Sequence, residues 1–173
     1  MFQSALKITL EFEGGFVDDP ADPGGATNKG ITQKVYDKYR LERNLPVQSV
    51  KNISDSEVSA IYLNQYWVPG SCALLHPPLG IFHFDSCVNM YLIQAGKLLQ
   101  RALGMQEINV DGVIGEHTLA IAEIIPSAIT ICKYADLRID FYKKLIARNP
   151  ILEKFRKGWV RRVETLEVKA FEI

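Results

Sequence analysis

Apolar residues recur at three- and four-residue intervals along nearly all of this chain, and almost nowhere at every second position. The first period buries one stripe of a helix, whereas one face of a strand needs a period of two. The pattern therefore points to an all-α fold of helices packed on helices, with loops left to carry the chemistry. Phe2, Ala5, Leu6, Ile8, Leu10 and Phe12 form the first stripe, a predicted helix of about three turns stopped at Gly14-Gly15. Thr32 is placed to cap a helix carrying Val35, Tyr36 and Tyr39 and closed by Leu45-Pro46. Ser54 and Glu57 have capping-box spacing, and Val58, Ile61, Tyr62 and Tyr66 follow at helical intervals. The run from Ile81 to Leu103 predicts one long helix or two in succession. A short helix stopped by Pro126, another from Ser127 to about Arg148, and a last one carrying Phe155, Trp159, Val163 and Leu166 complete the pattern.

With 173 residues, the chain is long enough for one domain, or a domain with a small subdomain, around a substantial core. Twenty basic residues against twenty acidic ones argue against a general nucleic-acid binder, which is usually basic. Cys72, Cys87 and Cys132 are odd in number, without a C-x-x-C pair or a histidine at ligand spacing in sequence; they read as free, mostly buried thiols. The N-terminus lacks the features of a signal peptide, and no apolar run reaches the length of a membrane span. Synthesis in the cytoplasm is therefore expected.

The stretch "EFEGGFVDDPADPGGATNKGIT", residues 11–32, breaks the helical pattern. Glu13 falls where the first helix is predicted to end. There the macrodipole disfavours a carboxylate, and the flanking Phe12 and Phe16 add desolvation, so both effects favour retention of its proton. A protonated carboxyl is what a glycosidase uses to donate to a leaving sugar oxygen, and such a donor is worth roughly 10²–10⁴ in rate. The plainer reading is a solvated helix-end glutamate. What favours the catalytic one is the company: Asp22 and Thr27 lie on a loop whose glycines let the backbone fold back toward the helix end. Asp22 leads Asp18 and Asp19 as the partner carboxylate, since Asp18 and Asp19 also serve as Asx turns before Pro20.

This stretch resembles the signature of the glycoside hydrolase 108 family of lysozyme-like muramidases, in which a Glu-Gly-Gly-Tyr motif supplies the catalytic glutamate and Asp-Pro-Gly-Gly-x-Thr-x-x-Gly-Ile-Thr follows. Glu13-Gly14-Gly15-Phe16 carries the first motif, with phenylalanine in place of tyrosine. Ile61-Tyr62, Tyr66-Trp67 and Phe84-Asp85-Ser86-Cys87-Val88-Asn89 are similar to further family segments, and "GW-x-x-RV" to its closing helix. The resemblance implies a lysozyme-like fold, cleavage of the β-1,4 bond between N-acetylmuramic acid and N-acetylglucosamine, and Glu13 as general acid. Asp22 and Thr27 are its candidate catalytic partners, similar in arrangement to phage T4-type lysozymes. Phe16, Asp19, Tyr66 and Asn89 are candidate substrate contacts. Tyr62, Tyr66 and Trp67 are each open to sugar stacking or core packing.

In the second half, Leu99-Gln100 followed by Asp111-Gly112-x-x-Gly115-x-x-Thr118 resembles the peptidoglycan-binding repeat attached to many wall hydrolases. Asp111 and Thr118 serve equally well to tie a tight turn to the next helix. Lys154, Arg156, Lys157, Arg161 and Arg162 read as a solvated face around a core Trp159, and His83 and Asp85, two apart, point away from each other on a helix. The expected organisation is a catalytic region at 1–90 and a peptidoglycan-binding-like helical region at 91–173. No cofactor or metal is expected, since two-carboxylate hydrolysis needs none. Peptidoglycan glycan strands are the expected partner of a monomeric endolysin released by a holin-type route. A lytic transglycosylase and a non-catalytic wall-binding protein are the alternatives.

Overall fold

A computed structural model describes residues 1–18 and 25–172, and among them are eight α-helices and one small hairpin. The chain divides into two compact units, residues 6–65 and residues 1–5 with 66–173.

In the smaller unit, α1 (Phe2–Leu10) buries Leu6 and Ile8. It ends before Gly14-Gly15, earlier than the sequence suggests. The amides of Glu11, Phe12 and Glu13 bond the carbonyls of Ile8, Thr9 and Leu10 at 3.2, 3.1 and 3.2 Å, and this tighter i→i−3 turn closes the helix without glycine. The strands β1 (Thr27–Asn28) and β2 (Ile31–Thr32) pair antiparallel, Thr27 opposite Thr32 and Asn28 opposite Ile31. Lys29 and Gly30, at φ +49° and +74°, form the two-residue turn whose twist suits a hairpin. Strands of two residues have no period to read, which is why the pattern concealed them. Thr32 caps α2 (Gln33–Leu41) as expected, its hydroxyl accepting from the Val35 amide at 3.3 Å. The helix stops short of Leu45-Pro46 because Asn44, at φ +54°, lets the Leu45 amide turn back to the Arg40 carbonyl. The capping box of α3 (Asp55–Tyr62) is present, and Glu57 also binds the Arg40 guanidinium at 2.7 Å and accepts from the Tyr36 hydroxyl at 2.9 Å. Burial disfavours the Glu57 charge, but these bonds and those from Ser54 outweigh it and hold the carboxyl below its usual range.

The larger unit is built on α4 (Pro77–Met90), in which every residue from Leu79 to Cys87 is buried, as befits a helix enclosed on all sides. It breaks at Tyr91, whose φ of +66° and ψ of 155° lie outside ordinary non-glycine backbone, and α5 (Leu92–Ala102) follows. After α6 (Glu116–Ile124), Pro126 ends the short helix and α7 (Ser127–Arg148) begins; α8 (Arg156–Lys169) closes the chain. Helix α7 packs against α4, α5 and α8. Buried Asp85 binds Arg138 at 3.1 Å and Arg162 at 2.7 Å. Arg162 is therefore not on a solvated face, because its charge pairs with a carboxylate 77 residues away. Burial opposes ionisation of Asp85, yet the two guanidinium groups hold its carboxyl below the usual range. Trp159, half-buried, stacks on Tyr142 and Phe155 with ring centres 4.8 and 5.7 Å away. Gln100 knots the 111–113 turn, donating to Asp111 Oδ1 and accepting from the Gly112 amide, both at 2.7 Å. No single helix among the described residues is long and apolar enough to cross a membrane.

Cys72 and Cys87 are buried free thiols, and Cys132 is exposed. The expectation of no histidine at metal-ligand distance from a cysteine fails, since His83 joins Cys72 and Cys87 in one cluster.

Candidate active site

Glu13 follows the closing turn of α1, its amide tied to Leu10 and its side chain half-buried. Gly14 and Gly15 border open space, where an added Cβ would meet nothing within 4 Å. On the other flank, a Cβ at Gly30 would lie 2.9 Å from Glu13 Oε2, 3.2 Å from its Cδ and 2.5 Å from the Tyr62 hydroxyl. The hairpin turn, the carboxyl and the phenol thus meet over a single bare Cα. Positive φ and close approach both require glycine there. Tyr62, at the end of α3, donates to the Lys29 carbonyl at 2.9 Å and so fixes the turn against which Glu13 rests.

The hairpin is held from below. Asn28 Nδ2 donates to the Val50 and Lys51 carbonyls at 3.1 and 3.2 Å, while Gln33 accepts from the Val50 amide at 2.7 Å and donates to the Gln48 carbonyl at 2.9 Å. Lys29 pairs with Asp55 at 2.5 Å on the surface. Val17 and Thr27 exchange two backbone bonds of 2.8 Å, closing the loop between them at its base. Polar side chains that might otherwise be assigned to substrate are here spent on shaping the turn.

Of the residues expected at the site, Glu13, Phe16 and Thr27 lie in the smaller unit. The half-buried Thr27 directs its hydroxyl to the Gly25 carbonyl at 3.4 Å. Phe16 is 38% exposed, with the Lys51 ammonium 5.5 Å from its ring centre. Asp19 and Asp22 lie outside the described residues. Tyr66 and Asn89 belong to the larger unit. Tyr66 is half-buried in the π-helical turn Leu63–Trp67, and Asn89 accepts from the Tyr142 hydroxyl at 2.5 Å. Gly30 and the hydroxyl of Tyr62 were not singled out from sequence, although "NKGI" carries the residues of a tight hairpin turn.

The fold is all-α and lysozyme-like, and the family matches that follow support a glycoside hydrolase acting on peptidoglycan. Residues 6–90 match the glycosyl hydrolase 108 family, and residues 94–164 match a predicted peptidoglycan domain. Among solved structures, SagA of Brucella abortus is similar, at 29% identity and a TM-score of 0.79, over 99% of this chain and 94% of that one. A search of curated proteins finds no match.

Proposed function

We propose that the chain is an N-acetylmuramidase, hydrolysing the β-1,4 bond between N-acetylmuramic acid and N-acetylglucosamine with Glu13 as general acid. The observation that carries this reading is the Glu13 carboxyl, half-buried and seated against Gly30, which the Tyr62 hydroxyl also approaches, within the region matching glycosyl hydrolase 108. In the reaction Glu13 gives its proton to the glycosidic oxygen as the bond to the anomeric carbon breaks. Asp22 and Thr27 are assigned to the attacking water, and the exposed face of Phe16, with Asp19, Tyr66 and Asn89, to the glycan. Residues 1–90 are the catalytic region and 91–173 the wall-binding one, a division supported by the limits of the two family matches. The protein acts as a monomer on the wall after release from the cytoplasm.

Glu13→Gln tests the proposal. Purified peptidoglycan should yield new reducing ends with the wild type and fewer by a factor of roughly 10² or more with the variant, while its helical circular dichroism is unchanged. Equal clearing by both proteins would remove Glu13 from the mechanism. Products ending in 1,6-anhydromuramic acid would replace hydrolysis with transglycosylation. Wall binding by both proteins without clearing by either would leave only a binding module.

A further inference from the structure

Three side chains that the proposed reaction does not use meet in the core of the larger unit. Cys72 begins the 3-10 turn Cys72–Leu74, and His83 and Cys87 stand one turn apart on α4. All three are 0% exposed, and their two sulfurs and an imidazole nitrogen lie within 4.8 Å of one another. The tautomer of His83 follows from its neighbour. Tyr134 has one hydroxyl proton and donates it to the Ala95 carbonyl at 2.7 Å, so in its 2.9 Å contact with His83 it accepts from Nδ1–H. Nε2 faces Cys87 Sγ at 3.5 Å, and the Gly70 carbonyl also accepts a hydrogen bond from the ring. Metal-binding imidazoles are oriented in this way, one nitrogen donating to an outer partner and the other bare toward the ion. Gly70 borders the sulfurs, since a Cβ there would lie 3.0 Å from each.

We propose that Cys72, His83 and Cys87 form a closed, three-coordinate site for a soft, thiophilic cation of the Cu(I) class. An ion at the middle of this triangle lies no more than about 2.8 Å from any corner, and modest contraction brings it to the usual bonds of about 2.0–2.3 Å. No fourth histidine, cysteine or carboxylate joins the group among the described residues. Two soft thiolates and an imidazole, three donors in all, suit Cu(I) better than Zn²⁺, whose structural sites take four. Binding replaces the two thiol protons with one Cu(I), so two protons leave and the site carries one negative charge. The Arg138, Asp85 and Arg162 cluster in the same unit carries one positive charge in excess. A site this enclosed loads during folding or local opening.

The test uses the full chain with Cys132→Ser, which removes the exposed thiol. It is refolded without oxygen in one equivalent of Cu(I), supplied as the acetonitrile complex, and challenged with a Cu(I) chelator. One copper per chain by native mass spectrometry, thiolate-to-copper absorption in the near ultraviolet and a raised melting temperature are expected. Tyr134→Phe should bind roughly 10–100-fold more weakly, because Nδ1–H loses its acceptor. Cys87→Ala, which keeps the apolar packing, and Cys72→Ser should each lose the metal to the chelator. Copper retained by the Cys72→Ser/Cys87→Ala protein, no copper retained by the parent, or Zn²⁺ held as tightly as Cu(I) would each overturn the proposal. So would a 72–87 disulfide in protein purified without oxygen.

Discussion

Replacing Gly30 with alanine separates two things that the turn does at once. Its φ of +74° is costly for any residue with a Cβ, by about 1–2 kcal/mol, and a chain of this size loses roughly 2–4 °C of melting temperature per kcal/mol. The second effect is steric. The new methyl would stand 2.9 Å from Glu13 Oε2 and 2.5 Å from the Tyr62 hydroxyl, against ordinary contacts of 3.4 Å or more, so the carboxyl must retreat by about half an ångström. A misplacement of about 1 Å costs up to about 10² in rate, so Gly30→Ala should lose roughly tenfold or more in the folded protein. The assay is release of reducing ends from purified peptidoglycan, with melting followed in parallel. Wild-type turnover in a folded Gly30→Ala protein would refute the reasoning, because the carboxyl would not need its present seat to act.

Other outcomes follow from the buried charges and from Tyr91. Asp85→Asn leaves two buried guanidinium groups without a counter-charge and should cost about 3–5 kcal/mol in chemical denaturation, whereas Arg138→Met leaves a neutral pair and should cost less; the reverse order would contradict the charge account. The Glu57 carboxyl sits below its ordinary 4.5 in the folded chain, so the stability it adds is complete above that value and is lost as pH falls through the folded one. Melting temperatures of Glu57→Gln should accordingly fall less steeply than those of the wild type below about pH 5. Tyr91→Gly should raise the melting temperature, since a strained backbone costs about 1–3 kcal/mol; an unchanged or lower value would show that the Tyr91 ring repays its conformation.

What could be read from the sequence was local. Thr32 and the Ser54–Glu57 box cap helices through groups three residues apart, and both are found as expected. The ends of α1 and α2 were missed because backbone alone closes them, by i→i−3 bonds after Leu10 and by the left-handed Asn44. Glu13 stands out in the sequence because glycines and acids break a helical pattern beside it. Its seat was not, because Tyr62 reaches the turn from 33 residues away and helical spacing shows only that a tyrosine faces inward. A separation of 77 residues likewise hid the pairing of Arg162 with Asp85. His83 and Cys87, four apart on a helix, share a face that the sequence reading passed over, and Cys72 joins them only through tertiary packing.

The Val17–Thr27 bridge has a consequence for how such a protein can diversify. With its two ends pinned by paired amides, the segment between them is closed by a clasp that does not involve Glu13. Doubling a loop adds only about 0.6 kcal/mol of closure entropy, and the clasp keeps that change from reaching the hairpin. Changes in the length of this segment are thus kept from the turn on which Glu13 rests.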